Sequence, residues 1–439
     1  MSCQSGTAGG IKIKRRKKIL MICYYYPPLT DVGCRRSVAF AKYFKKYGWT
    51  PYVLSVKNPD KTYCSVGNDI PPQGIYTEYS YSLVNIYKFF GKLNGLFTRI
   101  MRFFGIEIKR NYFYDIFCIP DFFWGWIPTT TLKGHELIKK FDIDMIYVSC
   151  KPISCAIIGV LLKFMTGKSL ILDFRDQFSL ENYYTFLRMP YFRRKINRFI
   201  EGFLLNRADV FIVVTKQMKE SYIHQYSQVR DKIFTVHNGF DSDLLPLEGI
   251  SSRYPKFTVV YAGDFYFYRL NSEIFFEAVG LLKKRGKIDR NNFQFLFYND
   301  GKREIERISE NYGIEDLLIA NPRISYGDIL IVIAKSHLQL LRVLMLAVPT
   351  KLFDGISLNT PFLATIPTGE ASDIIKKYSP SSYIITEDSS DKVAEAILDA
   401  MGKYRNNEIL DNRVEEFLKK YSRGNLALKL IRIIEKNLR

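Results

Sequence analysis

The sequence predicts an α/β protein made of two domains, each a parallel sheet flanked by helices. Three observations carry that expectation. Short apolar runs alternate with longer stretches of helical periodicity from Lys18 onward. The same alternation restarts at Phe257. Between the two series, Asp243–Lys256 contains Pro246, Gly249, Ser251, Ser252 and Pro255, the composition of a linker. A chain of 439 residues is also too long for one average domain.

Lys18–Tyr26, KILMICYYY, reads as a first buried strand. Pro27–Gly33 reads as a loop. Arg35–Tyr47 has helical spacing through Val38, Ala39, Ala41, Phe44 and Tyr47, and stops at Gly48. Tyr52–Val56 is a second strand, completing a βαβ start. The loop holding Gly33 is where an open sheet receives a ligand, although one glycine also suits an ordinary turn.

Residues 57–130 are irregular and aromatic. Within them Val84–Ile108 interleaves Phe89, Phe90, Leu96, Phe97, Ile100 and Phe103 with Lys88, Lys92, Arg99 and Arg102. Two readings fit: a basic amphipathic helix lying on an anionic membrane, or a helix packed on its own domain with solvated lysines. Strands then recur at Met145–Val148, Ser169–Asp173, Val210–Val214 and Ile233–Val236, separated by helices at Cys155–Met165, Tyr191–Arg207 and Lys216–Tyr226. The strand Ser169–Asp173 runs into Phe174-Arg175-Asp176. Two aspartates flanking an arginine at a strand end suit an active site, with a buried Arg–Asp pair as the alternative.

The second series places strands at Phe257–Ala262, Phe293–Tyr298, Leu317–Ala320, Phe362–Thr365 and Tyr383–Thr386. Helices are expected at Ser272–Leu282, Lys302–Tyr312, Ala371–Tyr378 and Asp391–Met401, with a basic helix pair over Arg413–Leu438. Val348–Ala364, VPTKLFDGISLNTPFLA, is its most informative stretch. Pro349 and Thr350 suit a helix start, and Asn359-Thr360-Pro361 a helix stop. A helix start is a weak anion site; Lys351 adds a full charge, and Asp354 lies three residues on. The pair suits a ligand with phosphate at one end and ribose hydroxyls at the other, or is a solvated surface pair.

Composition narrows the partners. Hydrophobic residues make up 47% and charged residues 25%, enough for ample cores. The net charge of +20 implies an anionic partner: nucleic acid, a membrane surface or a phosphorylated substrate. No nucleic-acid-binding motif accompanies it, so nucleic acid is not expected as a partner. Seven cysteines form no CxxC pair, and the four histidines are not spaced with them like a zinc site. Reduced thiols and no metal are expected. The apolar run Ile19–Cys23 is too short for a signal core, and Lys335, His337 and Arg342 interrupt the longer run Asp328–Val348. A cytoplasmic protein touching the inner face of the plasma membrane is expected.

Taken together, YYYPPLTDVGCRR (24–36), PDFFWGW (120–126), SCKPISCAIIGVLLK (149–163), LDFRDQF (172–178), VTKQM (214–218), VHNGFD (236–241), YAGDFYFYR (261–269) and VPTKLFDGISLNTPFLAT (348–365) resemble, in order and spacing, the glycosyltransferase family 4-like proteins, in a subgroup carrying DFRD and VPxK. The resemblance implies the GT-B fold, two Rossmann-like domains facing across a cleft. It implies an N-terminal acceptor-side domain over 1–245 with an aromatic-basic insertion at about 84–126. A nucleotide-sugar domain over 256–412 and C-terminal helices over 413–439, packing back toward the first domain, would follow.

The implied activity is transfer of a sugar from a nucleoside-diphosphate sugar to a lipid-linked or oligosaccharide acceptor in cell-surface polysaccharide synthesis. Retention, no metal and no cofactor are implied as well. Arg269 matches the diphosphate-binding arginine, Lys351 the phosphate loop and Asp354 the ribose binder. Gly33, Asn238, Gly239 and Gly263 match donor-side positions. Asp176 and Arg175 are carried as acceptor-side or catalytic candidates, because Ser149 and Cys150 stand where the family has a histidine. Leu346 replaces an earlier family glutamate. These departures leave open a GT-B nucleotide-sugar epimerase, a non-catalytic paralogue or a basic binding protein.

Overall fold

The computed structural model describes residues 16–438 except 62–63, 65–69, 108–111, 181–188, 246–251, 264, 266–272, 344–346, 409–411 and 413. The chain divides into two compact units. One comprises Met1–Ile212, Gln228–Lys232 and Ile431–Arg439; the other comprises Val213–Ser227 and Ile233–Leu430.

The first series forms a seven-stranded sheet. Its strands are β1 (Lys18–Cys23), β2 (Thr50–Val56), β3 (Tyr76–Ser80), β4 (Met145–Cys150), β5 (Ser169–Phe174), β6 (Val210–Val213) and β7 (Ile233–Thr235). The spatial order is β3-β2-β1-β4-β5-β6-β7, and β1 pairs in parallel with both β2 and β4. The continuous apolar runs have a simple cause. Ile19–Cys23 and all of Met145–Cys150 are buried on both faces, which removes the alternation of a half-exposed strand. β1 ends three residues earlier than the run KILMICYYY suggests, and Tyr24–Tyr26 turn out of the sheet before Pro27-Pro28.

Helix α1 covers Val32–Lys46, so Gly33 lies in its first turn and not in the preceding loop. The expected start at Arg35 was late because Val32 and Gly33 carry no apolar period. The irregular region contains a strand the periodicity missed, β3, and the helices α2 (Ile86–Phe103), α3 (Tyr112–Phe117) and α4 (Ile127–Phe141). Next come α5 (Ser154–Thr166), α6 (Tyr191–Arg207) and α7 (Lys216–Gln225).

The second sheet contains β8 (Phe257–Ala262), β9 (Phe293–Tyr298), β10 (Leu318–Asn321), β11 (Leu338–Arg342), β12 (Phe362–Thr365) and β13 (Tyr383–Ile385). Its order is β10-β9-β8-β11-β12-β13, with every neighbouring pair parallel. Its helices are α8 (Ile274–Lys284), α9 (Lys302–Asn311), α10 (Tyr326–Lys335), α11 (Thr350–Ser357), α12 (Glu370–Tyr378) and α13 (Ser390–Arg405). The closing pair is α14 (Val414–Tyr421) and α15 (Arg423–Asn437). The long apolar run from Asp328 is α10 followed by β11. Its signal was Ser325, whose Oγ accepts the Asp328 amide at 3.2 Å and donates to the Asp328 carboxylate at 2.6 Å.

Both sheets are doubly wound. Strand order reverses between β1 and β4 in the first and between β8 and β11 in the second. The carboxyl ends of those strands are where such sheets bind ligands.

Candidate active site

In the first unit the reversal point is closed by Arg175. Its Nη2 donates to the Lys151 carbonyl at 2.9 Å and its Nε to the Cys150 carbonyl at 3.4 Å. Its Nη1 donates to the Gly33 carbonyl, and the guanidinium lies 5.6 Å from the Tyr25 ring centre. One side chain after β5 therefore ties together the loop after β4 and the start of α1. Gly33 permits this: a Cβ there would stand 2.6 Å from Arg175 Nη1. Asp176 is half-exposed and faces the Lys151 ammonium at 3.7 Å. Arg175, Asp176 and Gly33 are thus brought to one sheet end.

Asp173 has a different partner from the one its position beside Arg175 suggests. Arg36, from the buried face of α1, donates to it from Nε at 2.7 Å and Nη2 at 3.0 Å. The Tyr147 hydroxyl also donates to Asp173. All three are buried. Burial, then the Asp173 charge, push the Tyr147 phenol well above its ordinary value, so it remains a donor. Burial opposes the charge on Arg36, but the Asp173 and Tyr147 interactions outweigh it and raise its pKa. The triad holds α1 against β4 and β5. Asp121 of PDFFWGW is also structural: it accepts the Ser154 amide at 2.9 Å and the Ser154 hydroxyl at 2.5 Å, capping α5.

In the second unit the reversal point gathers Gly263, Lys351 and Arg342. Gly263 follows β8 with φ +98°, and Lys351 Nζ lies 3.0 Å from where its Cβ would stand. The ammonium is 4.2 Å from the centre of the Tyr261 ring. Arg342, at the end of β11, covers Phe265 at 4.3 Å. Lys351 is in the first turn of α11, as Pro349-Thr350 suggested. Asp354 is buried and accepts the Tyr326 hydroxyl at 2.6 Å, so Lys351 and Asp354 are not a solvated surface pair. Arg269 and Leu346 lie outside the described residues. A small depression beyond β11 and β12 is lined by Val343, Ala347, Ile366, Gly369 and Glu370.

Gly239, which follows Asn238, packs against the C-terminal helices. Gly239 has φ +68°, and a Cβ on it would stand 2.4 Å from the Tyr421 carbonyl. Phe240 N donates to Tyr421 O at 3.2 Å, and Arg423 N donates to Phe240 O at 2.8 Å. Beside them His237 Nε2 meets Glu370 Oε1 at 2.8 Å, while Glu370 Oε2 accepts the Lys216 amide at 2.7 Å. Burial would raise the Glu370 pKa, but His237 and the Lys216 and Gln217 amides outweigh it and hold it below the ordinary range. Sequence reasoning missed Tyr326, Arg342, His237 and Glu370. Arg342 could have been found as the polar end of a buried strand; His237 and Glu370 had no local signal. Among the described residues, no group of three His, Cys, Asp or Glu side chains could hold a metal ion.

Two parallel, doubly wound sheets with ligand-type groups at their reversal points define the class: an α/β fold matching GT-B glycosyltransferase structures. Residues 100–244 match the family model described as Glycosyltransferase Family 4. Anabaena HepE, solved with UDP and glucose, superposes with a TM-score of 0.64 at 13% identity, covering 96% of this chain and 100% of that one. Sucrose-phosphate synthase from Thermosynechococcus elongatus gives 0.66 at 12%, covering 96% and 99%. WaaG, a glycosyltransferase involved in lipopolysaccharide biosynthesis, gives 0.59 at 14%, covering 95% and 99%. No curated protein matches the sequence.

Proposed function

We propose that the protein is a glycosyltransferase using a nucleoside-diphosphate sugar, with retention and without a bound metal or cofactor. The observation that carries this reading is Lys351, in the first turn of α11, set against Gly263 at the end of β8. Negative charge grows on the diphosphate as the sugar leaves. A preplaced cation and helix start stabilise that charge without reorganising. Lys351 supplies both, with Arg269 as its expected companion. Asp354, oriented by Tyr326, accepts from ribose hydroxyls. Asp176 and Arg175 act on the acceptor side, Asp176 as the exposed carboxylate and Arg175 as the group that positions its loop.

Similarity to WaaG, whose role is in lipopolysaccharide biosynthesis, supports a cell-surface saccharide as product, with a lipid-linked or oligosaccharide acceptor. The basic face of α2, with Lys88, Lys92, Arg99 and Arg102, suits peripheral contact at the inner leaflet.

A panel of UDP-, GDP- and ADP-sugars tests the reading by thermal stabilisation and by turnover in EDTA. One nucleotide should raise Tm and support transfer, and Lys351→Ala should reduce both effects at the same nucleotide concentration. Stabilisation by none of them, or stabilisation unaffected by Lys351→Ala, overturns it.

A further inference from the structure

The second sheet is covered unevenly. Along β9, Phe293, Phe295 and Phe297 face one side and are buried against α8 and α13. Gln294, Leu296 and Tyr298 alternate with them onto the other side. There β10 sets Ile319 beside Leu296 and Asn321 beside Tyr298. Helix α10 packs on Val260 and Leu296 of this side through Ile329, Val332 and Ile333. Beyond it lies an open cavity of about 370 Å³, floored by Leu296 and Ile319 and flanked by Tyr254, Tyr298, Gln294 and Asn321. That volume falls in the range of small-ligand sites.

The wall of the cavity is held in place. The Tyr254 amide donates to the Lys335 carbonyl at the end of α10 at 2.9 Å, and Arg253 Nη2 donates to the Asn359 carbonyl at 3.2 Å. Four polar side chains line it, each able both to donate and to accept. Gln294 Nε2 donates to Thr258 Oγ1 at 2.9 Å, which leaves its Oε1 as an acceptor. Asn321 Nδ2 donates to the Ile319 carbonyl at 3.3 Å, which leaves its Oδ1. Among the described residues, the Tyr254 and Tyr298 hydroxyls make no hydrogen bond. Burial pushes both phenols up, and Tyr254 adds to the effect on Tyr298, so both stay protonated. Lys256 is the one charged residue of the lining, and its ammonium donates to the Arg290 carbonyl at 2.6 Å.

We propose that this cavity binds a segment of a neutral oligosaccharide. The chemistry of its lining selects that occupant. A pyranose presents C–H groups on its faces and hydroxyls that donate and accept around its edge. Tyrosine rings and planar amides match both. A lipid chain or an apolar helix would instead bury four polar side chains without partners, which is costly. A phosphate or an acidic peptide would meet one cation, already turned to Arg290. The cavity also begins beside the candidate donor site, because the Gly263 amide donates to the Tyr298 carbonyl at 2.9 Å. From there residues 298 back to 294 cover about 13 Å of strand. A saccharide seated along it would keep one end near Gly263. The binding chemistry does not rest on the proposed sugar transfer.

The test titrates the full chain with maltotetraose, cellotetraose, mannotetraose and chitotetraose. At least one should bind and slow hydrogen exchange in β9 and β10 of the unaltered chain, a readout independent of how any variant folds. Tyr254→Ala should weaken that saccharide about tenfold, through loss of its ring face. Asn321→Leu, which keeps the size and removes the amide, should weaken it about fivefold. Neither change should alter stabilisation by a nucleotide, and saturating nucleotide should not displace the saccharide. Failure of every nucleotide to bind would therefore count against the donor site and leave this inference standing. Binding by none of the four saccharides, binding without protection of β9 and β10, or undiminished binding by both variants overturns it. So does a saccharide-free dimer with β9 and β10 already protected, which would assign the face to a second copy.

Discussion

Arg36 and Asp173, 137 residues apart in sequence, form a buried ion pair with two hydrogen bonds, at 2.7 and 3.0 Å. The pair fastens the helix after β1 to the strand that carries the acceptor-side candidates. Removing one partner leaves a buried charge uncompensated. Asp173→Ala is therefore expected to lower stability by about 3–5 kcal/mol, whereas Arg36→Met with Asp173→Leu should cost much less. The chain's three tryptophans, Trp49, Trp124 and Trp126, all belong to the first unit, so fluorescence-monitored urea unfolding reads this effect.

Gly33 and Arg175 should be energetically coupled. A methyl at Gly33 enters the space of Arg175 Nη1 and Tyr25. Gly33→Ala is expected to displace the guanidinium from its carbonyls, at a cost of about 1 kcal/mol. On an Arg175→Ala background the same change should be nearly neutral. A double-mutant cycle by urea unfolding checks this; strict additivity would contradict the contact.

Lys351 and Asp354 should separate into charge and orientation effects on nucleotide binding. Lys351→Ala removes a charged partner and should weaken the donor nucleotide by about 10–100-fold. Asp354→Asn should weaken it comparably, and Tyr326→Phe by less, because that change only frees the carboxylate that Tyr326 orients. Calorimetric titration measures all three.

His337 should give the second unit an acid sensitivity. Its Nδ1 accepts the Thr258 amide at 2.9 Å, and burial, then the nearby Arg253 charge, lower its pKa to about 3 from an ordinary 6.5. The folded state thus holds it neutral where the unfolded state binds a proton. Its contribution is complete above pH 6.5 and is lost as pH falls toward 3, at up to about 1.4 kcal/mol per pH unit. Calorimetric Tm should fall over that window, and less steeply in His337→Asn, which keeps an acceptor.

Gly239→Ala should loosen the C-terminal helices. It combines a left-handed backbone with a Cβ driven onto the Tyr421 carbonyl, so a loss of about 1–3 kcal/mol is expected. Faster hydrogen exchange at Phe240 and Arg423, whose amides make the local bonds, would locate the damage.

Local pattern carried the alternation of strands and helices. β8, β9, β12 and α6 match their expected spans, because each writes its burial or period into consecutive residues. β3 escaped because it is an edge strand with only Ser80 buried, which leaves no apolar run to read. The VPTKLFD segment announced a helix start with a cation and a carboxylate, and those are what α11 presents.

By itself the sequence determined the two α/β series, the strand ends that carry Arg175, Asp176 and Gly263, the helix start that carries Lys351, and the basic charge. Only tertiary structure decided partners and faces. It gave Asp173 to Arg36 instead of its neighbour Arg175, buried Asp354 beneath Tyr326, joined Glu370 to His237 and turned the aromatic side of α6 outward. The physical reason is range. Periodicity reports how a segment repeats along its own axis, whereas a buried charge or an exposed stripe is set by which distant elements the sheet order brings alongside.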